Sequence, residues 1–129
     1  MTVRDLASAD LDKIQDLHLS SGFQYQLPSF EGAAFPVRQV LSDDSGFAMG
    51  LFCRKTLEAY FIIDPKWRTP AWRWQGFKML HEQTRLDALS KGYTDVQALI
   101  PPEIEKQFGK RLFQMGWRKN YWNCFSREL

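Results

Sequence analysis

A run of cations and tryptophans between Lys66 and Lys78 holds the residues best suited to binding a charged ligand. It reads KWRTPAWRWQGFK. Arginine forms charge-assisted hydrogen bonds with phosphate oxygens, and indole rings stack on flat groups and on cations. Three interpretations stay open at this point: a site for a cofactor phosphate or another anion, plain packing with surface charge, and a nucleic-acid surface, which is the least favoured.

The remaining candidates for chemistry form no catalytic or metal-binding motif. His18 and His81 fall on separate predicted helices and Cys53 on a predicted strand, so neither a Cys–His nucleophile nor a metal site is expected. Cys53 and Cys124 form no CxxC pair. We expect both cysteines to be buried thiols in a reducing compartment.

Length and composition limit the class of protein. The chain has 129 residues, of which 44% are hydrophobic, and it includes five tryptophans and ten phenylalanines, enough for one domain with its own core. The net charge of +2 is too balanced to indicate nucleic-acid binding by itself. Neither a signal peptide nor a membrane-spanning stretch is recognisable. We therefore predict a single cytoplasmic domain over residues 1–129.

The first half of the chain predicts strands around one helix. A short strand at residues 2–6 precedes a helix that Ser8 caps and that runs to about Leu19. Glycines and prolines make residues 20–37 an irregular loop. Two β-like runs around the turn DDSG, followed by LEAYFIID, then predict a meander of three antiparallel strands.

The second half predicts alternating helices and strands. A long helix from about Trp72 to Lys91 leads to the strand DVQALI. A further helix begins at Pro101 and Pro102 and ends at Gly116, and the β-rich segment WRKNYWNCFSREL follows it. This order predicts an α+β fold whose mixed, mostly antiparallel central sheet is flanked by helices.

The same order resembles the GNAT acyltransferase superfamily over nearly the whole chain. The likeness is closest over residues 58–92, where Pro65, Trp67 and Arg68 match a Pro-x-aromatic-Arg stretch, and Gly92 with Tyr93 closes the long helix. A second likeness is FGKRLFQMGWRK at residues 108–119, which is similar to the family's helix before its last strands. The resemblance implies a single GNAT-like domain.

The resemblance also implies acetyl-CoA as co-substrate. In the family, a loop and helix N-terminus present backbone N–H groups to the pyrophosphate, and a strand, here residues 57–63, pairs with the pantetheine arm. The cofactor-binding residues implied in this way are Ile62, Ile63, Arg68, Ala71, Trp72 and Arg73.

Three positions depart from the family pattern. Ala71 and Arg73 stand where glycines are usual, and Arg73 either fills the phosphate site or replaces backbone contacts with bonds to phosphate. Leu112 stands where many members have a tyrosine that protonates the leaving thiolate.

The same resemblance suggests a base and an acceptor region. Glu58 is similar in placement to the general base of some relatives, and Asp64 lies at the other end of the predicted strand; either acid also fits a solvated strand end. Tyr25, Phe30 and Glu31 lie where the family covers its acceptor, although a hydrophobic lid over the core is the alternative.

Two functions follow from these observations. The leading one is an N-acetyltransferase that transfers an acetyl group to a small-molecule or protein amine by direct attack in a ternary complex. The alternative is an inactive GNAT-fold structural or accessory protein, as encoded by tailed phages, that acts through binding. An open cleft between the central strands, with free N–H groups before the long helix, favours the enzyme.

Overall fold

The computed structural model describes residues 1–129 and has an α+β architecture, as predicted. It contains five strands and three α-helices, and a 3₁₀ turn at Ser8–Asp10 leads into the first helix. In chain order the elements are β1 (Thr2–Asp5), α1 (Leu11–Ser21), β2 (Val37–Asp43), β3 (Gly46–Cys53), β4 (Leu57–Ala59), α2 (Pro70–Ser90), β5 (Val96–Ala98) and α3 (Pro102–Gln114).

Strands β1, β2 and β3 form an antiparallel sheet with β2 in the centre. Gly46 completes the β2–β3 turn with φ +101°, a backbone angle that favours glycine. Val40 in β2 lies opposite Arg4 and Gly50 and is fully buried. The predicted meander of β2, β3 and β4 is wrong, because the third strand of this sheet is β1 and not β4.

Strands β4 and β5 form a separate parallel pair, from Leu57 opposite Val96 to Ala59 opposite Ala98. A parallel pair needs a long crossover connection, which the segment containing α2 supplies. The predicted strand at residues 57–63 ends at Ala59, and its last residues have no strand partner. The predicted single central sheet is therefore wrong; the structure has two sheets.

The helix ends follow local chemistry. Thr69 precedes α2 and its side-chain oxygen accepts the Trp72 N–H at 3.3 Å, while Pro70 stands in the first turn. Gly92 and Gly116 follow α2 and α3 with φ +85° and +90°, as expected for glycines that end helices.

At the start of α1, Asp10 replaces the predicted Ser8 cap. The Asp10 carboxylate accepts bonds from the two terminal guanidinium nitrogens of Arg4 at 2.7 and 2.8 Å and from the Ala7 N–H at 2.9 Å. The Arg4 hydrogen bonds, followed by that from Ala7, lower the pKa of Asp10 to about 2. Ser8 makes no capping bond, and the turn is ordered by the ion pair between buried Asp10 and partly exposed Arg4.

Few side chains are removed from solvent. Phe35, Val40 and Leu112 are the buried apolar residues, and the accessible surface is 11253 Å². A compact monomer of 15.1 kDa would expose roughly 7,000 Å², so this structure leaves much more of its surface in contact with solvent.

None of the helices has the length and apolar character needed to cross a membrane.

Two further expectations are wrong. Cys53 and Cys124 are exposed rather than buried, because neither lies on a covered face of a sheet. The C-terminal segment from Trp117 onward forms no strand. Its aromatic residues favour β-structure, but a strand also needs a neighbouring edge with which to pair.

Candidate functional site

The loop before α2 exposes backbone N–H groups. Asp64 begins it: its side chain accepts the Lys66 N–H at 2.9 Å, and its carbonyl accepts the Trp67 N–H at 3.1 Å. The N–H groups of Arg68, Thr69 and Ala71 have no acceptor within the chain. Together with the positive end of the helix dipole, they provide hydrogen-bond donors for an anion.

Arg73 holds this loop in place. One of its guanidinium nitrogens donates to the carbonyls of Trp67 and Arg68 at 3.0 and 2.7 Å. These bonds support the positive φ of Arg68, +49°, which is uncommon for a residue with a side chain. The other guanidinium N–H groups of Arg73 have no partner in the chain, so its charge stays available beside the free amides.

A cavity of about 290 Å³ lies between the segment after β4 and helices α2 and α3. Its apolar part contains a ring cluster, in which Phe77 lies 4.7 Å from Phe61 and 5.8 Å from Phe108. The Arg111 guanidinium lies 5.6 Å from the Trp74 ring. The lining is completed by other residues of these segments: Ile63, Pro70 and Arg73. The cavity therefore combines an aromatic wall with two permanent positive charges.

Arg68 and Trp72, predicted to meet the same phosphates as Arg73, belong to a different group. The Arg68 guanidinium lies 5.7 Å from the Trp67 ring and 4.9 Å from the Trp72 ring. None of these three residues lines the cavity. The predicted cofactor set is thus divided: Arg73 and Ile63 line the cavity, whereas Arg68 and Trp72 lie outside its lining.

The predicted base has a neighbour that the sequence analysis missed. The Tyr60 hydroxyl donates to a Glu58 carboxylate oxygen at 2.7 Å, and this bond raises the pKa of Tyr60. The two residues are separated by one position, which places them on the same side of an extended chain. This i, i+2 spacing was the signal in the sequence from which a contact between Glu58 and Tyr60 could have been predicted. Asp64, the other candidate base, instead orders the loop before α2.

The segment that follows β4 is open along its backbone. The N–H groups of residues 60–63 donate to no acceptor in the chain. Ile62 is 92% exposed and Ile63 is 43% exposed. This segment begins where the β4–β5 pairing ends, and its peptide N–H groups are free to pair with an added chain.

The three predicted acceptor residues do not form one pocket. Tyr25 packs against His18 and Trp122 at ring distances of 4.7 and 4.8 Å, and it lines a second cavity of about 410 Å³. Phe30 instead stacks on Phe52 at 4.3 Å, as the lid interpretation expects. Glu31 offers its carbonyl oxygen to Arg38. Of the three, Tyr25 alone lines that cavity.

No family model matches the chain, and no curated protein or solved structure matches it significantly. The resemblance to the GNAT superfamily therefore stays a prediction from the sequence.

Proposed function

We propose that this protein is a GNAT-fold N-acyltransferase that uses acetyl-CoA to acetylate a small-molecule or protein amine. One observation carries the proposal: the unpaired backbone of residues 60–63 leads directly into a loop with free amides and Arg73. A ligand with an amide-containing arm and a pyrophosphate needs both features, in that order along the chain.

The electrostatics of the loop support the phosphate end of this ligand. Ala71, at one of the two positions where the family has glycine, keeps a free amide, and the free amides of Arg68 and Thr69 add two more donors. Arg73 occupies a position where glycine is usual, but its side chain is bonded to loop carbonyls and so keeps the loop in shape. Its remaining N–H groups supply charge-assisted bonds to phosphate.

The position of residues 60–63 at the end of the β4–β5 pair also supports this cofactor site. In open sheets, ligands bind beyond the carboxyl ends of parallel strands. The β4–β5 pair ends at Ala59 and Ala98, and residues 60–63 continue from that end. The cavity with Arg73 and Arg111 lies beside this continuation.

Glu58 and Tyr60 then divide the proton transfers. The amine nitrogen attacks the thioester carbonyl carbon, the carbon–sulfur bond breaks, and Glu58 accepts the proton that the amine releases. Tyr60 protonates the departing thiolate and regains a proton from Glu58 through their hydrogen bond. Tyr60 thereby supplies the acid that the family places on the last helix, where Leu112 is buried.

Isothermal titration with acetyl-CoA and CoA tests the proposal. We expect micromolar binding that Arg73→Ala weakens at least tenfold, because the loop loses both its support and a phosphate donor. Arg85→Ala, an exposed arginine of the same helix, is the matched control. Glu58→Gln and Tyr60→Phe should keep CoA affinity and lower kcat in an acceptor screen. The absence of both heat and thermal shift at millimolar acetyl-CoA would refute the proposal.

The second candidate is a GNAT-fold accessory protein without catalysis. The observation that favours it is the large exposed apolar surface, including Tyr60, Ile62 and Met79 at 79%, 92% and 74% exposure, which suits a protein that acts through contacts. CoA binding without thiol release across a broad panel of amines would favour this candidate over the enzyme.

A further inference from the structure

Trp67, Arg68 and Trp72 form an exposed platform beside the start of α2. The Arg68 guanidinium lies within cation–π distance of both indole rings, at 5.7 and 4.9 Å. Trp67 is 45% exposed and Trp72 is 55% exposed. Trp67 also rests on α2 beside Gly76, where an added Cβ would lie 3.4 Å from its ring.

The platform is ordered before any ligand binds. Arg73 donates to the carbonyl groups of Trp67 and Arg68, so the backbone that carries two platform residues is tied to α2. The Thr69 cap fixes the backbone of the third, Trp72. A rigid aromatic surface loses little conformational entropy when it stacks on a ligand.

The charge around the platform is positive and not neutralised. Arg68 lies on the platform and Lys66 directly precedes it, and neither has a salt-bridge partner, since the ion pairs of the protein involve other cations. Arg73 and Lys78 belong to the other side of this segment, because Arg73 lines the cavity and Lys78 lies over Trp74. Asp64 is the nearest acid in sequence, and its side chain accepts the Lys66 N–H. The platform therefore carries two cations that no acid of the chain neutralises by a salt bridge.

We propose that this platform binds single-stranded nucleic acid, with bases stacked on Trp67 and Trp72 and phosphates bound by Lys66 and Arg68. Single strands present unstacked bases that alternate with phosphates, which matches indoles interleaved with cations. In a duplex the base faces are covered, and anionic lipid surfaces offer charge without flat rings. The inference goes beyond the proposed acyltransferase and does not depend on it, because the platform lies outside the cavity lining.

Fluorescence titration of the full chain tests this proposal. The probes are fluorescein-labelled 12-mers of oligodeoxythymidine and oligouridine, followed by anisotropy and, with unlabelled strands, by tryptophan quenching. We expect micromolar binding to both strands in low salt, with quenching because bases stack on the indoles. Log affinity should fall with log salt by about 0.7 for each phosphate contacted.

Variants separate stacking from charge. Trp72→Ala should weaken binding by about 5- to 100-fold, and Trp72→Phe should restore most of it, because a ring is again present. Arg68→Ala should lower the salt slope by about 0.7. Trp122→Ala and Arg85→Ala, which alter exposed residues outside the platform, are the matched controls and should bind as the unaltered chain does.

Several outcomes would overturn the inference. They are no binding in low salt, equal affinity for a 12-base-pair duplex, equal binding to phosphatidylserine vesicles, and binding without tryptophan quenching. Trp72→Ala binding no worse than Trp122→Ala, with both variants folded by circular dichroism, would overturn it as well. Equal binding of the two oligonucleotides supports stacking that does not depend on the 2′-hydroxyl, whereas a preference for one supports recognition of the corresponding sugar as well.

Discussion

The two halves of the molecule are held together by different interactions. In the antiparallel sheet, β2 pairs with a strand on each side along most of its length, and it contains the fully buried Val40. In the second half, β4 and β5 pair over three residues each, α2 has no buried residue, and Leu112 of α3 is the one buried side chain. Contacts between aromatic rings, such as Phe77 with Phe61 and Phe108, connect its elements.

This difference matches a division between a frame, the antiparallel sheet of β1 to β3, and a site, the candidate binding surfaces around α2. Regions with few buried apolar contacts open with little free energy, and binding segments are drawn from such regions. The free amides, the cavity and the platform all belong to the second half. The first half contains the longer strand pairings and two of the three buried apolar residues, Phe35 and Val40.

The largest expected effect comes from the centre of the sheet. Val40→Asp should lower the free energy of unfolding by roughly 3 to 5 kcal/mol, because it places a charge without a partner in a fully buried position. Urea denaturation followed by circular dichroism measures the change. Val96→Asp in β5, where the valine is 39% exposed, is the matched control and should have a much smaller effect. Equal losses would mean that the two halves are equally well packed.

An intermediate effect is expected at Asp10. Its pKa is about 2 in the folded chain against an ordinary value of 3.8, so the stabilisation is present above about pH 4 and is lost as the pH falls toward 2. We expect about 1 to 2 kcal/mol, because Arg4 is partly exposed.

Thermal unfolding between pH 2 and 6 checks this dependence. Asp10→Asn should flatten the acid limb of the profile, whereas Asp12→Asn, an exposed acid in the first turn of α1, should leave it in place. An unchanged limb in Asp10→Asn would show that the acid sensitivity originates elsewhere.

The smallest expected effect tests the second half. The Trp117 indole N–H donates to His81 at 2.8 Å and links the end of α3 to α2. Trp117→Phe keeps an aromatic ring and removes the donor, so we expect a loss of about 1 kcal/mol in unfolding free energy. Trp122→Phe is the control, and urea denaturation is the measurement. A loss as large as that of Val40→Asp would contradict the division between frame and site.

Local features of the second half could be predicted from the sequence. Pro70, Gly92 and Gly116 act through their own backbone geometry, so the helix boundaries fell within a few residues of their observed positions. The position of the cations beside the start of α2 followed from the same local signals. Burial within a helix was not determined by these local signals: Leu112 of α3 is buried, whereas Ile104 of the same helix is 49% exposed.

Pairings between distant segments could not be predicted in this way. The positions of other elements decide which strand β4 pairs with and whether Cys53 is covered. They also decide whether residues 117–129 find a strand partner. The separation of Phe30 from Tyr25 likewise depends on which rings each one meets after folding.

The sequence by itself determined the α+β class, the helix ends and the concentration of positive charge and indole rings before α2, because each depends on residues close together in the chain. Only the tertiary structure decided that Arg73 supports the loop, that Tyr60 bonds to Glu58, and that Arg68 and Arg73 serve different surfaces. Those outcomes depend on distances and directions in space, which residue spacing alone leaves open.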